Sequence, residues 1–466
     1  MDAEGTSVAL DEATLLADEA EYCSFGDTVH YLDPPKIFAR CEGSFLYDLE
    51  NRAYLDLQMW YSACNFGYAN PRLNEALKRQ IDTLPQLACQ YLHTDRIELA
   101  AAIGRRVQQT FGMKGRVQFN VGGSQAIEDS LKIVRNASGG KSLMFAFEGG
   151  YHGRTLGASA ITSSYRYRRR YGHFGDRAQF VPYPYCFRCP YGKKREDCGL
   201  YCVDQFARLF DTEYCGVWDS KVGVSEFAAF YVEAIQGTGG YVIPPPGYFE
   251  KLKQVLEERR ILLVDDEIQM GFYRAGKFWA IENFGVKPDI IVFGKALTNG
   301  LNPIAGLWAR EELISPDVFP PGSTHSTFSA NPLGTAVALE TIKLMSETDY
   351  EKITKEKGGY LLDRLRELKR RYPIIGDVDG LGMALRIEIC EADGYTPSKA
   401  ITDRMVDEAM KADLDVNGRR YGLVLDIGGY YKNVITLAPS LEISYEEIDL
   451  AVDLLDVLFT RVTAGR

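Results

Sequence analysis

The stretch PDIIVFGKALTNG (residues 288–300) decides how this chain is read. Residues 290–293 are an apolar run of the length of a buried strand. Gly294 ends the run, Lys295 follows at once, and a polar Gly/Asn-rich segment comes next. A strand end is a rigid place from which to present an amine. Upstream, ILLVDDEIQMGF (residues 261–272) has the same form, its apolar run ending in Asp265, Asp266 and Glu267. Two such strand ends side by side offer a lysine and a carboxylate to one pocket. The C-terminal edge of a parallel sheet is where ligands sit in open α/β folds. Lys295 taken alone reads more readily as a surface lysine after a strand, so the neighbouring motifs must decide.

Those motifs recur along the chain. VQFNVGGSQAIEDSLKIVRNAS (residues 117–138) reads as a strand, a tight Gly122-Gly123-Ser124 turn and a helix. Glycines let a phosphate approach the backbone there, and the first helical N–H groups favour an anion. KSLMFAFEGGYHGRTLGASA (residues 141–160) is a strand running into Tyr151-His152-Gly153. An aromatic ring just past a strand end can stack on a flat cofactor, although a core tyrosine is the commoner role. Residues 227–235 are predicted as a strand leading into EAIQGTGGYVIPPPGYF, and residues 248–259 as a helix before the Asp266 strand. A Ser/Thr-rich loop in GSTHSTFSANPLGTAVALETIKLM (residues 322–345) precedes a long helix. Each signal is weak alone. Together, a lysine at one strand end and an acid at the next form the protein half of pyridoxal phosphate chemistry.

The remaining pattern sets the organisation. Residues 1–40 read as a mobile start and a helical arm. Residues 43–73 alternate in strand fashion, with a turn at 48–51 and an end at Asn70-Pro71. Helices are predicted at 73–84, 95–111 and 350–371. From residue 377 the pattern is short strands and helices. The expected division is an N-terminal arm with part of a small domain at 1–70, a large cofactor-binding domain at 71–345, and a small C-terminal domain at 346–466. A chain of 466 residues, 46% hydrophobic, has ample material for such cores.

Composition narrows the function. No apolar run reaches the length of a spanning helix. The acidic N-terminal residues lack the basic-then-apolar pattern of a secretory signal, so a cytoplasmic protein is expected. A net charge of −11 disfavours nucleic acid and anionic membranes as partners. It suits a cationic substrate, though many soluble enzymes are simply acidic. Four of the ten cysteines cluster as Cys186, Cys189, Cys198 and Cys202. Their C-x2-C-x8-C-x3-C spacing could hold zinc. Reduced structural thiols or a local disulfide are the competing reading.

The motifs taken together resemble a class III aminotransferase of the ornithine and GABA type, with the pyridoxal phosphate fold of type I. That resemblance implies an α/β architecture: a large domain with a mainly parallel seven-stranded sheet, plus a smaller α+β domain. It makes Lys295 the Schiff-base lysine and general acid/base, and Asp266 the carboxylate on the pyridine nitrogen. Gln269 then lies near the cofactor's phenolic oxygen, and Gly123 and Ser124 form the phosphate turn, with Gly122 where serine is common. Tyr151 is the stacking ring of Y-H-G-R, and Glu233 opens the family's E-P-I-Q-G-E-G-G. Thr327, in S-T-F-S-A-N-P, reaches the neighbouring subunit's phosphate, which implies a homodimer with shared active sites.

Two departures bear on substrate. The second glutamate of that motif is Thr238 here, and the arginine expected in the C-terminal N-V-I-R-like strand is Thr436. The pair holds an α-carboxylate in many relatives, and both halves are absent together. Arg419, Arg420 and Lys432 are the alternative cations. The reading is an aminotransferase-like enzyme acting on a small-molecule primary amine, bulky or a polyamine, with no carboxylate beside the reacting amine. A polyamine or an amino sugar such as an aminoglycoside fits, with Trp60, Tyr61, Thr238 and Thr436 as candidate substrate residues. Elimination, dehydration, epimerisation or racemisation on the same fold is the alternative.

Overall fold

The computed structural model describes residues 11–24, 26, 32–168, 171 and 178–464. Of the stretch 1–40 expected to hold a mobile start and a helical arm, residues 1–10, 25 and 27–31 lie outside them. Seven strands form the main sheet: β1 (Gly115–Asn120), β2 (Leu143–Phe147), β3 (Gln179–Val181), β4 (Phe227–Val232), β5 (Leu262–Asp266), β6 (Ile290–Phe293) and β7 (Ala305–Arg310). Their spatial order is β1-β7-β6-β5-β4-β2-β3. β7 runs antiparallel to both neighbours, and the other pairings are parallel. The expected mainly parallel sheet is thus present.

Both faces of this sheet are covered, so its central strands are apolar throughout rather than alternating with polar residues. β4 (FAAFYV) and β6 (IIVF) are buried along their whole length. Successive side chains still point to opposite faces. Val264, Ile290 and Val292 pack with Ala126, Ile127 and Val134 of helix α1 (Gly123–Ala137). Leu263, Ile291 and Phe293 enter the core on the other face, with Phe145 and Trp279. Continued by one step, the same alternation sends Asp265 and Asp266 to opposite sides.

Two further sheets build the smaller α+β domain. Phe38–Glu42, Phe45–Asp48 and Ala53–Asp56 join Arg419–Val424 and Leu414–Val416 in one sheet. Ala53–Asp56 pairs in parallel with Arg419–Val424, so distant parts of the chain share that sheet. Ile375–Leu381, Ala384–Ile389, Val434–Leu437 and Asp426–Gly428 make an antiparallel second sheet. Among the described residues no helix is long and apolar enough to cross a membrane.

The structure corrects the expected strand pattern across 43–73. It stops at Asp56, whose Oδ1 accepts the backbone N–H of Gln58 at 2.7 Å and of Met59 at 2.8 Å. That local turn chemistry overrides the alternation. Met59, Trp60, Tyr61 and Ser62 follow with φ of 45°, 52°, 56° and 64°, a left-handed run that bulky side chains rarely adopt.

Candidate active site

The carboxyl ends of β4, β5 and β6 open onto a cavity of about 400 Å³. Tyr151, Gln269 and Lys295 line it on the sheet side, and Asp426 and Lys432 on the small-domain side. Lys295 leaves β6 through Gly294 with φ of 41°, so the backbone at the amine-bearing residue is itself left-handed. Such strain in a non-glycine residue gathers at functional sites. Burial pushes the Lys295 ammonium down, while the charges of Asp266, Glu233 and Asp426 push it back up. The net lowering enlarges the neutral, nucleophilic fraction of the amine.

Asp266 is braced from both sides. Its Oδ2 lies 2.8 Å from Nδ1 of buried His152, and its Oδ1 accepts the Ile268 N–H at 3.1 Å. Burial opposes a charge on His152, but the Asp266 bond and charge, with Glu233, raise it above its ordinary value. Asp265 faces the other side, where burial and neighbouring Glu267 push its carboxyl well up. Sequence reasoning assigned no role to His152; its place beside Tyr151 was the only signal.

Glu233 connects two loops of the site. Its Oε1 accepts the Tyr151 N–H at 2.9 Å and its Oε2 the Gly237 N–H at 2.9 Å. It thereby fixes the Tyr151 turn against the loop that carries Thr238. Gln269 donates through Nε2 to the Tyr241 hydroxyl at 3.0 Å. The Tyr151 ring meets Tyr167 edge-to-face at 5.3 Å, and the Arg154 guanidinium lies 4.7 Å from the Tyr167 centroid.

Gly123 and Ser124 open helix α1, and no side chain caps it. A Cβ placed on Gly122 would have no atom within 4 Å, so the space before these N–H donors is open. Ser124 Oγ accepts the Arg154 N–H at 3.2 Å. A Cβ on Gly153, where φ is +123°, would come within 2.3 Å of Ser124 Oγ, so only glycine lets the two turns meet. The donor set fits pyridoxal phosphate: an open helix N-terminus for phosphate, Tyr151 for the ring face, Asp266 with His152 for the ring nitrogen, and Lys295 for the aldehyde.

The candidate substrate residues divide. Tyr61 and Thr238 line the cavity. Trp60 is 52% exposed and lies outside its lining. Thr436 is buried behind the small-domain wall and donates to Asp426 Oδ2 at 2.6 Å. Arg419 and Arg420 are exposed and outside the cavity lining, whereas Lys432 does reach the cavity. Thr327 is exposed and away from the lining within a single chain. Asp426 was not found from sequence.

The cysteine cluster gives neither a disulfide nor a metal-binding set. All ten cysteines are free. Among the described residues no three His, Cys, Asp or Glu are placed to hold a metal ion. Cys186, Cys189, Cys198 and Cys202 instead ring a recess of about 20 Å³. The Cys186 and Cys198 thiols turn to local carbonyls, those of Pro184 and Arg195, each at 3.8 Å.

Known proteins agree with this geometry. The family model for class-III aminotransferases matches residues 29–458. A leucine/methionine racemase of Thermococcus litoralis is 32% identical over 433 residues, 93% of this chain and 92% of that protein. A diaminobutyrate–2-oxoglutarate aminotransferase of Haemophilus influenzae is 32% identical over 422 residues, 89% of this chain and 88% of that protein. An aminotransferase structure from Bacillus anthracis superposes with a TM-score of 0.83 at 26% identity, covering 97% of this chain and 100% of that one. Matched over nearly its whole length, the chain belongs to the class-III aminotransferases, pyridoxal-phosphate-dependent enzymes of fold type I.

Proposed function

We propose that this enzyme transfers the amino group of a primary amine that has no carboxylate beside the reacting nitrogen, such as a polyamine or an amino sugar of the aminoglycoside kind. The observation that carries this is the Thr436–Asp426 hydrogen bond at 2.6 Å. Where the family arginine was expected, a hydroxyl orients a carboxylate into the cavity wall. Two like charges near each other in a half-buried site repel by roughly a few kcal/mol. A substrate carboxylate approaching Asp426 meets that repulsion; an ammonium is attracted.

Pyridoxal phosphate, when bound, supplies the electron sink that makes the substrate carbon acidic. Lys295 Nζ takes the proton from that carbon and returns it at a second position. Asp266, held by His152, is the group that would face the ring nitrogen of a bound cofactor. Glu233 positions the Tyr151 turn. Tyr61 and Thr238 shape the entrance.

A homodimer with shared sites is part of the same reading. Thr327 is exposed beside Phe328, itself 70% exposed, and Leu92 is also 70% exposed. A second copy would cover such apolar side chains and bring in the threonine. Ten free thiols suit a reducing compartment such as the cytoplasm.

Racemisation is the second reading, favoured by the 32% identity to a leucine/methionine racemase. The test presents glutamate, ornithine, putrescine and an aminoglycoside in turn to the holoenzyme. Carbonyl product and loss of the cofactor's visible absorption are followed. Putrescine or the aminoglycoside should react faster than glutamate. If glutamate reacts fastest, the reading is overturned. If L-leucine yields D-leucine with no carbonyl product, racemisation replaces it.

A further inference from the structure

Asp426 and Lys432 line the same cavity as Lys295, and their surroundings leave both incompletely satisfied. The other charges there have their own arrangements. Lys399 pairs with Asp403. Arg154 and Arg166 lie 4.7 and 5.6 Å from the Tyr167 centroid. Asp426 Oδ2 takes the Thr436 hydroxyl, Gln58 Nε2 reaches Oδ1 at 3.5 Å, and the Ile427 N–H also acts on the carboxylate. That distance is at the limit of a hydrogen bond. A carboxylate offers about four acceptor positions, so Asp426 retains capacity for a strong donor.

Lys432 answers Asp426 through its charge and makes no ion pair with it within 4.0 Å among the described residues. Asp426 is the opposite charge acting on its ammonium, while Arg166 and Lys399 oppose it. Its backbone N–H bonds to the Gly429 carbonyl at 3.1 Å, with φ of 56°, so a tight turn delivers the side chain to the cavity. The four-carbon stem can swing aside without moving that turn. Burial lowers the Lys432 ammonium and raises the Asp426 carboxyl, so each is poorly solvated where it stands.

We infer that Asp426 is the docking point for a second ammonium group on the substrate, and that Lys432 is a resident cation displaced when that group arrives. This rests on the functional reading above and names its substrate class: a diamine, polyamine or diamino sugar. One amine reaches Lys295 while the other is held by Asp426. Thr436 is a positioning residue that aims the carboxylate.

The experiment compares steady-state kinetics of the holoenzyme and three variants on putrescine, butylamine and 4-aminobutyrate. These substrates end in a cation, a methyl group and an anion respectively. Asp426→Asn should raise KM for putrescine at least tenfold and change KM for butylamine less than threefold. Lys432→Met should lower KM for putrescine, because the competing cation is gone. Thr436→Val keeps the charge but loses its aim; it should raise KM for putrescine with kcat held, and it serves as the check if Asp426→Asn folds poorly. An equal rise for putrescine and butylamine in Asp426→Asn would make Asp426 merely structural. A rise in KM for putrescine in Lys432→Met would contradict a displaced cation, and a rise confined to 4-aminobutyrate would make Lys432 a carboxylate-binding cation; either result overturns the proposal. Wild-type turnover of putrescine with an unaffected Asp426→Asn defeats the docking point alone. Wild-type turnover of glutamate but of no simple amine defeats the functional reading itself.

Discussion

The sheet wall and the small-domain wall of the cavity follow different plans. On the sheet side the key groups are fixed by neighbours: His152 and the Ile268 N–H on Asp266, and the Tyr151 and Gly237 N–H groups on Glu233. On the small-domain side Asp426 keeps spare acceptor capacity and Lys432 sits on a flexible stem. The first wall serves chemistry that a cofactor makes common to many substrates, and it must be rigid. The second meets the part of the substrate that varies. Rigid polar contacts there would have to match one ligand; unsatisfied charges select by sign.

The sharpest way to break this comparison is at the fixed wall. Lys295→Ala should cost at least roughly 10²- to 10⁴-fold in turnover, the range for a lost general acid/base. It should also abolish covalent cofactor labelling after borohydride reduction. Undiminished labelling in the variant would move the role to another lysine.

Asp266 and Asp265 divide the same wall more finely. They are adjacent on β5 but face opposite sides of the sheet, and only Asp266 meets His152. Asp266→Asn should lower kcat roughly 10²-fold, comparable to losing one preorganised electrostatic partner. Asp265→Asn should change kcat less than about threefold, since it lies on the far face. Comparing kcat in the two variants tests the strand alternation itself, and reversed effects would show the wrong neighbour had been chosen.

Much of the sheet wall was legible in the chain because its signals are local. Lys295 and Asp266 each end an apolar run, Gly123-Ser124 sits at a strand–helix turn, and Tyr151 follows a strand. His152 needed the fold, because its partner is distant in sequence. Asp426 was hidden for a similar reason. Its meaning comes from pairing directly across from Thr436 in an antiparallel sheet, a register no periodicity reveals. The left-handed run at Met59–Ser62 was also hidden, since an alternating apolar pattern there outweighed a single turn-forming Asp56.

A smaller effect reads the fixed wall through stability. Burial first, with the Asp266 charge, pushes the Glu233 carboxyl up to about 7, against the partial relief given by His152. The folded protein therefore holds this proton more tightly than the unfolded chain. The contribution is complete below the ordinary carboxylate value and is lost as pH rises through about 7. In cofactor-free protein, Tm of the wild type should fall more between about pH 5 and about pH 8 than Tm of Glu233→Gln. Parallel Tm profiles would show that Glu233 ionises normally.

The smallest effect belongs to the cysteine recess, away from both walls. Cys198→Ser removes one weak thiol contact to the Arg195 carbonyl. Its unfolding free energy should stay within about 0.5 kcal/mol of the wild type in a denaturant titration. A larger loss would give the cluster a structural weight that its geometry does not supply.

The account stands most directly on one ratio: kcat/KM of the holoenzyme for putrescine over that for glutamate, measured side by side as amino donors. A substrate wall that presents Asp426, with Thr436 in place of arginine, predicts a ratio above about 10, a difference of about 1.4 kcal/mol in transition-state stabilisation. A ratio below 1 would mean that a cation of the cavity receives the carboxylate, and the contrast between the two walls would fail.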